Sequence, residues 1–327
     1  MNRTDSGIWA FMVHLGCNCW ADHKVDHWGS STGLKAESHS PADYLRFDEE
    51  EWEFLSSRIA ALGGNMILLD LAEGLQYESH PELSATGAWS KDRLESEKAR
   101  LSKMGIELIP KLNFSTGHDT WLKEYHRMIS TPDYYKVCAD LIAEVSELFG
   151  RPRFFHLGYD EETIQNQHSC GVAVVRQGEL WWHDLLWFNE TVKKAGSRSW
   201  IWSDFGARHR EEFLSRMPRD ILQSNWYYHH VEGEKNPVRL DRIALFADMD
   251  KAGFDQIPCG SAYSWKPNLA EIVRYCRKNM PGSPRIKGYM LAPWTRTWNR
   301  FHDENVIALE AFEMGKIAWA DPKRGDG

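Results

Sequence analysis

The sequence contains no run of about 18 consecutive apolar residues, which excludes a membrane-spanning helix by length. It has no Gly-x-Gly-x-x-Gly and no Walker sequence, so nucleotide chemistry has no support. It also lacks positive charge in excess. A formal charge of −8 gives no electrostatic reason to expect nucleic acid or an anionic membrane surface as partner. Cysteine is sparse: six in 327 residues, scattered as ordinary buried thiols, with Cys17-Asn-Cys19 too close for a Cys-x-x-Cys element. Histidine offers no metal-binding spacing. His229 and His230 are adjacent, while His14, His118 and His156 fall on different strands or loops, so no metal and no cofactor are expected. The opening Met1-Asn-Arg-Thr-Asp-Ser6 lacks the apolar stretch of a signal peptide, and the chain reads as soluble, cytoplasmic if 1–327 is its full extent. Nothing in it fixes an oligomeric state.

What is present in excess is tryptophan, 16 residues of it, in a chain that is 42% hydrophobic. Some of these rings must build core, but flat amphipathic rings near carboxylates also suit a sugar-binding cleft.

Periodicity alternates along the chain. Apolar runs of strand type are expected at 7–15, 65–71, 106–114, 153–162, 198–205, 220–228, 254–264 and 286–294. Helical patterns fall at 47–62, 90–104, 131–150, 178–195, 210–216, 240–252, 269–279 and 304–320, with Thr131-Pro132 a capped start. Eight strands alternating with eight helices argue for one (β/α)8 barrel of the TIM type, a single domain over 1–327. A doubly wound open sheet is the alternative, but it would gather functional residues at one switch point, whereas here candidates sit at nearly every strand end. Residues 21–47 are polar and aperiodic and read as a lid or a peripheral loop.

In a barrel the C-terminal strand ends face one another. They carry Asn18 and Trp20, Asp70, Lys111 and Asn113, Asp160 and Glu161, Trp202 and Asp204, the stretch 225–228, Tyr263 and Trp265, and the stretch 294–298. The most informative of these ends is Arg153-Phe-Phe-His-Leu-Gly-Tyr-Asp-Glu-Glu162, an apolar run that stops in a glycine and three acids. An acid pair there could do no more than cap the following helix.

The stretch His156-Leu-Gly-Tyr-Asp-Glu161 resembles the His-x-Gly-Gly-Asp-Glu signature of the family-20 glycoside hydrolases, the β-N-acetylhexosaminidases, with Tyr159 in place of one glycine. Ala60-Ala-Leu-Gly-Gly-Asn-Met-Ile-Leu-Leu-Asp70, Gly87-Ala-Trp-Ser-Lys-Asp-Arg-Leu94 and Gly105-Ile-Glu-Leu-Ile-Pro-Lys-Leu-Asn113 with Thr116-Gly-His118 are similar to further family segments. The resemblance covers about 48–294 and implies a divergent member that acts on carbohydrate. It implies Asp160 and Glu161 as the catalytic pair, with His118, Asp70, Asn113, Asp204, Trp202, Trp226, Tyr263 and Trp294 around the sugar, Tyr263 meeting the acetamido group. Three family groups are missing. The arginine ending the first strand has no counterpart in Val13-His-Leu-Gly-Cys-Asn18, Pro-Glu becomes Pro110-Lys111, and an aspartate after the pocket tyrosine becomes Trp265.

The implied mechanism is exo-acting, retaining and substrate-assisted. The substrate's 2-acetamido oxygen attacks, Asp160 orients that group, and Glu161 serves as general acid and base with a raised pKa. His156 is expected below the pair as support. Two other readings stay open: a glycosidase on a sugar without an acetamido group that pairs Glu161 with Asp204 or Asp70, and a catalytically silent carbohydrate-binding barrel.

Overall fold

The computed structural model describes residues 7–321; the Met1–Ser6 stretch read for a leader lies outside them. The chain runs β1 (Ile8–His14), α1 (Leu34–His39), α2 (Glu49–Ala61), β2 (Met66–Asp70), α3 (Lys91–Lys103), β3 (Glu107–Lys111), α4 (Pro132–Leu148) and β4 (Phe154–His156). It continues α5 (Glu179–Lys194), β5 (Arg198–Trp202), α6 (Asp204–Arg208), α7 (Arg210–Arg216), β6 (Leu222–Ser224), α8 (Pro237–Lys251), β7 (Cys259–Gly260), α9 (Asn268–Asn279), β8 (Gly288–Leu291) and α10 (His302–Ala320).

All eight strands are parallel, in the order β6-β5-β4-β3-β2-β1-β8-β7. Isolated parallel bridges, Gln223 to Gln256 and Trp226 to Cys259, join the two outer strands and complete the (β/α)8 barrel expected from the sequence. Helix starts follow local chemistry. The Ser90 hydroxyl accepts from Arg93 N at 3.2 Å to cap α3, and Asn236 Oδ1 accepts from Val238 N at 3.0 Å, ahead of Pro237 at the first position of α8.

Strand parity divides the core. Phe11, Val13, Ile67 and Leu69 pack outward against the helices, while Ala10, Met12, Leu68, Ile109 and Trp200 fill the barrel interior. The same parity carried one step further puts His14, Asp70, Lys111, His156 and Trp202 in the uppermost interior layer, all at most 1% exposed. That layer is the floor of the site.

The 21–47 segment is partly folded. It carries α1 and a bridge between Trp28 and Ser31, and Arg296 from the loop after β8 donates to Ser38 O at 3.0 and 3.2 Å. Among the described residues no helix is long and apolar enough to cross a membrane, and no cluster of His, Cys, Asp and Glu could hold a metal ion.

Candidate active site

β4 ends at His156, and the turn that follows is forced into an unusual shape. Gly158 has φ +75°, and a Cβ there would lie 1.8 Å from Asn113 Oδ1, so only glycine fits. Tyr159 and Glu161 also have positive φ, at 71° and 55°, as does Trp294 at 57°. Non-glycine residues hold this region only when their surroundings over-determine it. For Tyr159 the surroundings are visible: its ring is buried against Trp181 and Phe188, with the Arg176 guanidinium 5.2 Å from its centroid. Tyr159, where the motif has a glycine, thus holds a left-handed conformation that favours glycine and is anchored in it by packing.

The turn sends its three acids three ways. Glu162 accepts from Thr116 N at 3.0 Å and pairs with buried Arg176, away from the site. Asp160 is 5% exposed; Asn113 Nδ2 donates to its Oδ1 at 3.1 Å, and His118 Nε2 lies 3.4 Å from its Oδ2. Glu161 opens toward solvent, with its Oε2 3.2 Å from the same His118 nitrogen.

Burial lowers the His118 pKa, but the Asp160 charge and the Glu161 hydrogen bond outweigh it and raise the imidazole to about 9. Burial lifts Asp160 above the usual carboxylate range against the pull of His118 and Lys111. Glu161 corrects the sequence expectation of a raised pKa. Burial does push it up, yet the His118 hydrogen bond and charge, with Arg242 and Arg208, bring it below the ordinary value.

The pair opens into a cavity of about 580 Å³, within the usual range for small-molecule sites. Trp226 stacks on Tyr228 with centroids 4.7 Å apart and an interplanar angle of 20°, and Trp294 stands 6.2 Å from Tyr228. Trp28 stacks on His39 at 4.1 Å on the side built by the 21–47 segment, and Trp20 lies between His39 and His118. Glu161 also borders a smaller cavity of about 310 Å³ that Asp204 helps line.

Of the residues named from the sequence, Asp160, Glu161, His118, Trp226, Tyr263 and Trp294 reach the main cavity. Asp70, Asn113, Trp202 and Asp204 do not line it. Asp70 faces the barrel interior beside Lys111, its register partner on β3, with Lys111 Nζ 2.5 Å and His14 Nδ1 3.2 Å from its Oδ2. Burial would raise that carboxyl; Lys111 and His14 outweigh burial and hold it well below the usual range. Asn113 is the clamp on Asp160. Trp202 is 1% exposed and supports Trp294 from beneath, centroids 5.9 Å apart. Asp204 Oδ2 accepts from Trp226 Nε1 at 2.8 Å and so orients that wall; burial, with the Asp160 and Glu161 charges, raises its pKa to about 7 against Arg242.

His156 is a support, as expected: its Nδ1 accepts from Gly158 N at 3.0 Å, and burial and Lys111 keep it neutral. Tyr263 is 61% exposed at the rim, too open to grip an acetamido group from within. Tyr228, 9% exposed, is the buried tyrosine of the cavity; its hydroxyl stands beside the Trp294 indole, and neither polar atom forms a well-aligned hydrogen bond. Trp265 instead donates to Glu271 Oε1 at 2.7 Å, outside the cavity. The sequence signal for Tyr228, an aromatic cluster at 226–228 ending a strand, was present but gave no reason to rank one ring above another.

The barrel sets a carboxylate pair at the exit of its fourth strand against aromatic walls from β6 and β8. No family model matches the chain, and no curated protein matches it. Solved structures do. A GH20 exo-β-N-acetylglucosaminidase from Vibrio harveyi in complex with N-acetylglucosamine is similar at 14% identity and TM-score 0.64, covering 99% of this chain and 55% of its own. A chitobiase from Flavobacterium johnsoniae is similar at 18% identity and TM-score 0.58, covering 82% and 46%. A Streptomyces plicatus N-acetyl-β-hexosaminidase in complex with Thio-NAglucal is similar at 14% identity and TM-score 0.62, covering 94% and 63%. The chain spans about half the length of the first two. At these identities the likeness is one of fold, and the fold is that of the family-20 catalytic barrels, as the sequence resemblance implied.

Proposed function

We propose that the chain is a retaining glycoside hydrolase that releases a terminal β-linked N-acetylhexosamine or a related sugar by substrate-assisted catalysis. The observation that carries this reading is the Asp160-Glu161 pair, bridged by one histidine, at the mouth of an aromatic-walled cavity. The structures of similar fold are named for the same reaction.

The sugar's C–H face packs on Trp294 and Trp226, which exclude water. Asp160, held by Asn113, accepts from the acetamido N–H and aims its oxygen at the anomeric carbon. The Tyr228 hydroxyl donates to that oxygen. Glu161 serves the leaving oxygen, and the proton it delivers is the one it shares with His118 across 3.2 Å. Burial is already the strongest influence on Glu161, so a sugar that shields it from water moves the shared proton toward the carboxyl.

Direct displacement by another carboxylate is less well served. Asp70 is locked to Lys111 and His14 within the floor, and Asp204 is held by Trp226 and Arg242.

Hydrolysis of aryl N-acetyl-β-glucosaminide and galactosaminide is the test. Glu161→Gln should cost about 10² to 10⁴ in kcat on poor leaving groups and much less on activated aryl glycosides, which hardly need a proton. Asp160→Asn should slow every N-acetyl substrate alike. A covalent adduct trapped on Asp204 or Asp160 by a 2-fluoro sugar would overturn the acetamido mechanism. Sugar binding without turnover of any aryl glycoside would make the barrel a binding module.

A further inference from the structure

The charge of the main cavity is opposite in sign to that of the chain. Four fixed cations, Lys35, Arg239, Arg242 and Arg296, line it against two carboxylates, Asp160 and Glu161, while the whole sequence carries a formal −8. The two carboxylates already share His118. Arg242 has Asp204 at 3.4 Å, and Arg239 has Glu234 at 3.5 Å.

Lys35 and Arg296 are different. Neither forms an ion pair with a carboxylate among the described residues. Arg296 is 2% exposed; its Nε and Nη2 both go to one carbonyl, Ser38 O, and its guanidinium carbon sits 4.1 Å from the Trp20 ring centroid. Lys35 Nζ lies 5.3 Å from the Tyr263 ring centroid. Aromatic faces and a carbonyl orient these two charges without neutralising them. Burial lowers the pKa of both, and Arg296 depresses Lys35 further. After burial, Cys17 pushes Arg296 up, Arg46 adds to the repulsion, and Cys19 and buried Glu73 ease it; on Lys35, Glu304 opposes. Arg296 is a buried cation without a counter-ion, which is costly to keep, and Lys35 is half-buried near it, so an anion taken up by both would relieve that cost.

We propose that the Lys35–Arg296 wall binds an anionic substituent of the sugar, so that the substrate class is an acidic glycan whose ring carries a sulfate, a phosphate or a carboxylate. This rests on the sugar-site reading of the same cavity. Guanidinium and ammonium together suit any of the three groups through charge-assisted hydrogen bonds.

The test is equilibrium binding by tryptophan fluorescence, run beside turnover. The probes are N-acetylglucosamine, its 6-sulfate, its 6-phosphate and glucuronic acid, each at low and high salt. At least one anionic sugar should bind about tenfold or more tightly than the neutral one, and the strongest of the three identifies the group. The preference should shrink with salt and collapse in Lys35→Met. Arg296→Gln should do the same, and Arg296→Lys should restore part of the preference; circular dichroism checks that each variant is folded. Equal binding of neutral and anionic sugars, or a preference untouched in Lys35→Met, overturns the proposal. The two readings fail separately. Turnover of neutral aryl glycosides with no gain from an anionic group removes the anion site and leaves the hydrolase. Tight binding of an anionic sugar with no turnover removes the hydrolase and leaves the anion site.

Discussion

His118 touches both acids of the pair through a single nitrogen, at 3.4 Å from Asp160 and 3.2 Å from Glu161, so the three groups titrate together. The proton shared with Glu161 stays on the couple until the histidine releases it, at about pH 9. The upper limb of kcat/KM against pH should therefore lie near that value in the wild-type protein. In His118→Gln the proton must reside on Glu161 alone, and the limb should move down by several pH units; an unmoved limb would take His118 out of the proton inventory. Stability follows the same group. The folded pKa of His118 is raised above the ordinary 6.5, so its contribution is complete below pH 6.5 and is lost as pH rises through about 9. Chemical denaturation at pH 6 and pH 9.5 should show the wild-type protein losing up to about 3 kcal/mol more than His118→Gln. The sequence pointed to Asp160, Glu161 and His118 by motif. It could not show that one imidazole bridges both acids, because that depends on where the 113–118 loop lies over the end of β4. Nor could it rank Tyr228 above Tyr263, since both follow apolar runs and only burial separates them.

The exit turn of β4 places three residues, Gly158, Tyr159 and Glu161, at positive φ, and the first two hold it differently. Gly158 has no alternative: Gly158→Ala meets Asn113 at 1.8 Å and adopts φ +75°. It should displace the clamp on Asp160, abolish turnover and cost about 2–4 kcal/mol. Tyr159→Gly would release its left-handed strain, worth about 1–3 kcal/mol, but would empty the space against Trp181, Phe188 and Arg176. Large-to-small changes in a core cost about 3–5 kcal/mol, so the packing loss should win and the variant should melt lower. A higher melting temperature would mean that the tyrosine is kept for something other than packing. From the sequence this position looked like a broken motif. Backbone conformation is not written in composition, so the sequence could not show that Tyr159 holds a positive φ by packing. The eight helices read from the sequence were legible to within about three residues, most closely where a cap such as Ser90 marks the start, while the short α1 and α6 fell in stretches read as loop and strand. β6 and β7 were legible in place but not in length. The apolar stretch at 254–264 contributes only Cys259–Gly260 to the ladder, since Pro258 has no N–H to donate and Gly260 has no room for a Cβ beside Asn268 and Leu269.

At the scale of the molecule, the short strands leave two thin seams, β3–β4 with a single register pair and β6–β7 with isolated bridges only. β1 and β2 are in register over five residue pairs. β6 and β7 are joined by bridges through Gln223 N to Asp255 O at 3.1 Å, Ile257 N to Gln223 O at 2.9 Å and Cys259 N to Asn225 O at 2.9 Å. Opening the β6–β7 seam breaks these three backbone hydrogen bonds, against a five-pair ladder between β1 and β2, and local stability tracks such counts. Native-state hydrogen exchange should find the amides of Gln223, Ile257 and Cys259 exchanging at least about tenfold faster than those of Met66–Asp70, through an opening smaller than global unfolding. Equal protection would mean the barrel opens only as a whole. The seam also lies under the site, for Trp226 and Tyr228 follow β6 while Trp294 follows β8, one strand beyond β7. A sugar that packs on Trp226 and Trp294 together ties the two sides of the seam and should lower the population of the opened state by mass action. Saturating N-acetylglucosamine, or the preferred acidic sugar, should therefore slow exchange at Gln223, Ile257 and Cys259 and leave Met66–Asp70 nearly unchanged. If the ligand protects both regions equally, it is stabilising the fold from elsewhere, and the sugar does not bridge β6 and β8.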